Sequence, residues 1–528
     1  MNEPTVKNLR RKTTRGIAVS LLSAIGTNVV RIVSIAILAR LLAPADFGIV
    51  AIAMTVVVLV QNFRDIGVGG AIVQRKQLTN EELKSAFAFS MWLGFALSGT
   101  MVVVAPGIAL LFKEPTAVPY LQVLSLTFAL RGLSMVSYVL LQREFKFHNL
   151  ALVDTATYAV GSIASIIFAA AGFGAWSIVW GDLLEIALSV VAVMWLRPPP
   201  FASRIRWIYL RGLLGVGAAY TVAQLANVAA TQSDNAIVSR QLGRAELGFY
   251  ARAYDMVRIP AMMFTSIVGT VLFPAFSTLQ GDPIRLGQAF RRSLFATAVI
   301  LTPASVGLII LAPEVIAVVV GSQWSNSVLP FQIMGATMLF RTSYKIGAIV
   351  ARAAGDANRT ALTQGVYAII VIVGAIVGSR WGIAGVATST AIAVAVNFFM
   401  LTGLGLRYTK LTWWDVIGAH RDAALVGALT LAGAWPTAWW LRSLHAPIAV
   451  TLLTTTLVGS IGPLALAYRG IRRPGSDWHW VWEALRSGLR GKKKNKVARA
   501  IVHSEATAEP TSTVEQLAKG TATIKDDG

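Results

Sequence analysis

The chain contains no cysteine, which excludes disulfides, thiolate metal sites and a cysteine nucleophile. Charge is scarce too: Asp, Glu, Lys and Arg together make up 14% of the residues, against about 25% in an average soluble domain. No Walker pattern, HExxH helix or GxSxG elbow occurs, so P-loop, zinc-hydrolase and serine-hydrolase chemistry have no foothold. The five histidines, His148, His420, His445, His479 and His503, fall in expected loops or the C-terminal tail, where solvation rather than ligation is the expected role. No metal and no other cofactor is therefore expected.

What is present is apolar. Hydrophobic residues form 55% of the sequence and the mean hydropathy is +0.63, the balance of a polytopic membrane protein. Uncharged runs close to the 20 residues that a helix needs to cross a bilayer recur along the chain, and they predict an all-α protein of about fourteen spans. The first run, 17–42, is too long for a signal-peptide core and is counted as a span. The formal charge of +22 would suggest nucleic acid in a soluble protein. Here the basic residues collect in alternate loops, as the positive-inside rule requires with both termini cytoplasmic. The outward loops hold only Arg40, Lys113, Arg240, Arg244, Arg380 and Arg442, and nucleic acid is not expected as a partner.

The chain also repeats itself. ARLLAPADFGIVAIA at 39–53 returns as SRQLGRAELGFYARA at 239–253, matching Arg40 with Arg240, Gly48 with Gly248 and Asp46 with Glu246. At an offset of 210, Gln122 falls on Gln332, Arg131 on Arg341 and Gly172 on Gly382. An internal repeat of membrane helices in one orientation predicts two six-helix lobes with a cavity between them near the midplane. Two peripheral helices would follow. The expected boundaries are 1–205 and 206–410 for the lobes, 411–470 for the peripheral pair, and 471–528 for a basic, partly disordered cytoplasmic tail. Trp478, Trp480 and Trp482 precede a run of lysines and arginines there. Both a segment lying on anionic membrane lipids and a solvated tail fit that composition.

Ionisable residues inside spans are costly and by default mark a pathway or polar cavity. Arg31 lies in the first span, Arg64 and Asp65 near the inner end of the second, and Arg131 and Arg341 at equivalent places in the fourth and tenth. Lys345 follows Arg341 by four residues. Arg252, Asp255 and Arg258 follow one another at intervals of three, on one helical face. Asp182 and Glu185 sit in the sixth span and Asp234 in the seventh, among Gln224, Asn227, Gln232 and Asn235. Each alone is accounted for by an ion pair or a side chain reaching an interface. Spread over both halves, the arginines fit a cationic cavity for phosphate oxygens, which a guanidinium binds bidentately.

The order and spacing of the Arg40–Gly48 turn, the DIGVGGAIVQR run from Asp65 to Arg75 and the LQREFKF stretch from Leu141 to Phe147 resemble the polysaccharide-transporter family, colanic-acid exporters in particular, of the multidrug/oligosaccharidyl-lipid/polysaccharide flippase superfamily. The resemblance is dense over the first two hundred residues. It implies a flippase that moves an undecaprenyl-diphosphate-linked oligosaccharide across the bacterial cytoplasmic membrane by alternating access, driven by an ion gradient. Polysaccharide polymerase and export proteins would be its partners. Related lipid flippases line their cavity with arginines of the first, second and eighth helices, and Arg31, Arg64 and Arg258 are the matching positions. The diphosphate set is then Arg31, Arg64, Arg131, Arg258 and Arg341. Asp182, Glu185, Asp234 and Asp255 would couple an ion or balance those charges. Two competitors are a multidrug antiporter of the same superfamily, which would favour an acidic, aromatic cavity, and a membrane glycosyltransferase or polymerase. The latter usually carries a large outward loop, and no outward loop here exceeds about fifteen residues.

Overall fold

The computed structural model describes residues 26–64, 68–75, 78–214 and 231–489, and among them there is no strand. Helix α1 covers 26–41. It is followed by α2 (Pro44–Arg64), α3 (Val68–Gln74), α4 (Asn80–Leu111), α5 (Val118–Arg143), α6 (Phe147–Ala170), α7 (Trp176–Leu196) and α8 (Trp207–Leu214). The second half runs through α9 (231–242), α10 (Arg244–Thr278), α11 (Pro283–Ile310), α12 (Ala312–Val319), α13 (Val328–Ala336), α14 (Met338–Ala353), α15 (Ala357–Gly378) and α16 (Gly382–Leu406). The chain ends its described part with α17 (Trp413–Ser443), α18 (Ile448–Ile471) and α19 (Asp477–Leu489). Nine stretches of the described residues are long and apolar enough to cross a membrane, and one of them, Ala357–Leu406, holds two helices. The protein is an all-α polytopic membrane protein.

The helices begin where local chemistry satisfies their first N–H groups. At α4 the Thr79 hydroxyl accepts from the Glu82 N–H at 3.2 Å while the Glu82 carboxylate accepts from the Thr79 N–H at 2.8 Å, a reciprocal capping box. The same device moves one boundary away from its expected place. At α17 the Asp415 carboxylate accepts from both the N–H and the hydroxyl of Thr412, at 2.7 and 2.8 Å. The helix therefore starts well before the apolar run that marks the span, and it includes His420, which hydropathy alone puts in a loop. The tenth expected span, 328–351, is divided at Thr337 into α13 and α14.

The repeat is visible in side-chain geometry. Gln122 donates to the Val102 carbonyl of the preceding helix at 3.2 Å, and its counterpart Gln332 donates to the Ile309 carbonyl at 2.9 Å. Gly172 and Gly382 both adopt positive φ, 85° and 68°, a conformation that costs glycine nothing. One continuous core crosses both halves, with Leu42, Phe47, Leu121 and Phe128 from the first and Leu247, Tyr250, Trp324 and Phe331 from the second.

The halves meet most closely where α2 crosses α10 in their first turns. A Cβ on Gly48 would lie 1.7 Å from the Arg244 carbonyl oxygen, and a Cβ on Gly248 would lie 2.0 Å from that of Pro44. These are equivalent contacts made in opposite directions, since 48 and 44 correspond to 248 and 244. Only glycine allows the two backbones to touch.

α17 packs along α11, and one ion pair ties its last turn to α12. Arg442 donates to both carboxylate oxygens of Glu314, each at 2.7 Å, and to the Ile310 carbonyl at 2.6 Å. Glu314 is 7% exposed, so its carboxylate depends on this partner. Glu314→Ala will lower stability by about 1–3 kcal/mol, the range for removing a hydrogen-bonded charge partner, which a detergent thermal-shift assay will detect. By contact the chain forms two compact units, one through Pro463 and one from Leu464. Within the second, Trp478 lies against Gly470 and the His479 ring donates to the Ile471 carbonyl at 2.9 Å. The basic run from Lys492 onwards lies outside the described residues.

Candidate functional site

Between the two halves lies a cavity of about 690 Å³, walled by α1, α2, α6 and α7 on one side and by α9, α10 and α14 on the other. Its charged lining comprises Arg31, Asp182 and Glu185 from the first half and Arg252, Asp255, Arg258, Arg341 and Lys345 from the second. Each element presents these groups by helical periodicity. Asp182 and Glu185 are one turn apart on α7, as are Arg341 and Lys345 on α14.

On α10 the spacing of three brings two guanidinium groups to one carboxylate: Arg252 and Arg258 lie 3.0 and 3.1 Å from opposite oxygens of Asp255. Arg252 also stacks on Phe47 of α2, 4.7 Å from the ring centroid. Arg341 is only 9% exposed. It donates to the Tyr254 hydroxyl at 3.0 Å and lies 5.0 Å from the centre of that ring. Yet the Nε atoms of Arg252, Arg258 and Arg341 are all buried with no hydrogen-bond partner. A buried N–H left without an acceptor costs about 1–3 kcal/mol, so these side chains are held in place by their other contacts.

Across from them, Arg31 faces the Tyr158 ring at 5.3 Å, and α1 is joined to α6 by a 2.9 Å hydrogen bond between the Thr27 and Thr155 hydroxyls. Asp182 and Glu185 make no ion pair among the described residues, nor does Lys345. The Asn235 side chain donates to Gln232 at 3.1 Å, and its carbonyl oxygen is buried without a partner.

Six of the nine residues singled out as candidates for the site thus line one cavity: Arg31, Asp182, Glu185, Asp255, Arg258 and Arg341. Arg131 does not join its repeat counterpart; it is exposed on α5 and absent from the lining. Asp234 is 2% exposed and sits behind the cavity wall, accepting the Tyr250 hydroxyl at 2.8 Å. Arg64 ends α2, but its side chain lies outside the described residues, as does Asp65. The aromatic lining was not anticipated. Tyr158, Tyr254 and Tyr344 carry no composition signal of their own. Tyr254 and Tyr344 are nonetheless one helical step from charged residues already singled out, and that spacing could have revealed them.

Fold and cavity define a class: a polytopic helical protein built from two repeated halves around a charged central cavity. Within that class, the family described as polysaccharide biosynthesis protein matches residues 37–329, more than half of the chain, and the chain belongs to it. The chain is similar to the succinoglycan biosynthesis transport protein ExoT of Rhizobium meliloti (strain 1021), 30% identical over 324 residues, which are 61% of this chain and 65% of that one. It is also similar to the lipopolysaccharide biosynthesis protein WzxC of Escherichia coli (strain K12), 25% identical over 346 residues, 63% of this chain and 68% of that one. The matched stretch therefore spans about two thirds of each relative. Among solved structures, lipid II flippase MurJ in an inward closed conformation shares the fold, with a TM-score of 0.71 at 17% identity over 85% of this chain and 99% of that one. A multidrug resistance MATE family transporter of the MOP superfamily, inward-facing, aligns with a TM-score of 0.55 at 16% identity, over 74% and 94%.

Proposed function

We propose that this protein is a flippase for a lipid-linked oligosaccharide, working by alternating access in a bacterial cytoplasmic membrane with both termini on the cytoplasmic side. The observation that carries the reading is the set of three guanidinium groups, on Arg252, Arg258 and Arg341, that line one cavity between the two halves. A diphosphate offers oxygens that several guanidinium groups can bind at once. Arg31 and Lys345 would add charge from either wall, while Tyr158, Tyr254, Tyr344 and Asn235 offer ring faces and hydrogen bonds to sugars. Asp255 holds two of the arginines apart from full positive charge, which keeps binding weak enough for release. Asp182 and Glu185 remain for ion coupling. The relatives named for polysaccharide biosynthesis and transport support the substrate class, and the work is that of a transporter rather than an enzyme. The lobes are taken as 1–205 and 206–410, and the tail from 471 as a contact for anionic lipid.

Deleting the chain from its host tests this. Lipid-linked repeat units will accumulate on the inner leaflet and surface polysaccharide will disappear. Units that reach the outer leaflet but stay unpolymerised would place the protein after translocation and reopen the polymerase reading. A multidrug antiporter would rest on the unpaired Asp182 and Glu185; its mark would be a changed susceptibility to cationic drugs with polysaccharide intact.

A further inference from the structure

At one end of the cavity the two halves exchange arginines. Arg40, in the last turn of α1, donates across the seam to the carbonyls of Val318 and Val319, at 2.5 and 3.5 Å, the last two residues of α12, and back to the Ala36 carbonyl of its own helix at 2.9 Å. Arg240, its repeat counterpart just before α10, donates across the same seam to the carbonyl of Leu111, the last residue of α4. Helix C-termini carry unsatisfied carbonyls and the negative end of the helix dipole, so a cation there is favourable twice over. Each half therefore caps a helix of the other.

The exchange sits on a packed layer. Trp324 is 0% exposed, donates to the Ala39 carbonyl at 2.9 Å and meets Phe47 edge-on at 5.3 Å. Gln323 donates to the Ala39 and Leu42 carbonyls. Beside the second cap, Arg244 lies 3.5 Å from Glu114 and 3.4 Å from Thr116. Leu38 and Phe47 mark the end of the cavity lining nearest this layer, and the glycine crossing of α2 and α10 lies in the same turns. Every one of these hydrogen bonds would have to break before the cavity could open at this end.

We propose that Arg40 and Arg240 form a reciprocal latch, each capping a helix C-terminus of the opposite half, and that release of both caps admits the cavity to this side of the membrane. The latch is needed whatever the cargo, so it stands apart from the lipid-linked-oligosaccharide reading. The contact is asymmetric: the Arg40 cap is reinforced by the bonds of Gln323 and Trp324 to Ala39 and Leu42, whereas the Arg240 cap has no such bonds beside it to the same helix end. Arg40 is accordingly the stronger half.

Because the natural chain has no cysteine, a single introduced thiol reports accessibility directly. Arg380→Cys, next to Ser379, which bonds to Gln241, marks the side of the membrane on which the latch lies. Ser34→Cys lines the cavity. With a membrane-impermeant maleimide applied to cells and to inside-out vesicles, Ser34→Cys will label slowly from the latch side. In the Arg40→Ala/Arg240→Ala background it will label at least tenfold faster, Arg40→Ala alone giving the larger share. Lysine at both positions will restore part of the slow labelling, because it keeps the charge at the helix ends. An unchanged rate from the latch side overturns the proposal. Should the double alanine variant fail to reach the membrane, the pair Arg40→Cys/Val318→Cys, joined by a reducible bis-methanethiosulfonate linker about as long as the arginine it replaces, decides the matter. Linking the pair will stop polysaccharide export and reductant will restore it, whereas export that continues with the pair linked overturns the latch.

Discussion

Alanine at Gly48 or Gly248 will abolish polysaccharide export, while alanine at Gly99 or Gly418 will leave it unchanged. All four glycines are helical, and in a helix alanine is the better former by about 1 kcal/mol, so the helices themselves gain in every case. The difference lies in what a methyl group meets. At Gly99 and Gly418 there is nothing within 4 Å, whereas at Gly48 and Gly248 a backbone carbonyl oxygen lies at 1.7 and 2.0 Å. A carbonyl cannot rotate away as a side chain can, so α2 and α10 must separate. Overpacking of this kind costs about 1–3 kcal/mol or more, enough to move a two-state equilibrium by one to two orders of magnitude. Export measured beside membrane-inserted protein checks it. Equal export from all four variants would mean the crossing tolerates a wider gap than its geometry allows.

The second large effect is expected at Arg341. Arg341→Ala will reduce export at least tenfold with normal amounts of protein in the membrane, and Arg341→Lys will recover little of it. Lysine keeps a charge but offers a point donor where the cavity presents a planar fork held by Tyr254. Truncating one member of a buried charged contact commonly costs 2–5 kcal/mol, which exceeds the stated fall. Arg131→Ala supplies the internal control. It occupies the equivalent position of the other half, yet it is exposed and outside the cavity lining, acting on the cavity only through its charge near Asp182 and Glu185, and its export will fall less than that of Arg341→Ala. If Arg131→Ala were the more damaging of the two, the cargo would follow a path other than this cavity.

The contrast between those arginines shows where sequence reasoning carries and where it stops. Helical periodicity set Arg252, Asp255 and Arg258 on one face, and they do share one carboxylate, because spacing within a helix is a local property. The internal repeat predicted two related halves, and Gln122 with Gln332 realises it in matching hydrogen bonds. Equivalence of sequence position did not extend to equivalence of environment: Arg131 and Arg341 face different neighbours because the halves surround one cavity from opposite sides with different helices. Asp234 lies deeper than a polar neighbourhood suggests, since Gln232 and Asn235 turn toward the cavity while the carboxylate turns toward Tyr250. The partners of Arg40 and Arg240 were illegible for a different reason. Both arginines stood out in the repeat, but what they bind is backbone carbonyl, and a carbonyl is carried by every residue alike.

The crossing at Gly48 and Gly248 has one more consequence. Because each glycine accepts the first-turn backbone of the other helix, the surface that α2 presents is complementary to a surface built like itself. That is the rule for an isologous dimer interface, here written twice within one polypeptide. Such an interface cannot be altered from one side alone. A bulkier residue at position 48 demands room at 244, and one at 248 demands room at 44, so any change that fits must be matched across the seam. The two halves are free to diverge in the cavity, and they have, but along this line they remain each other's template.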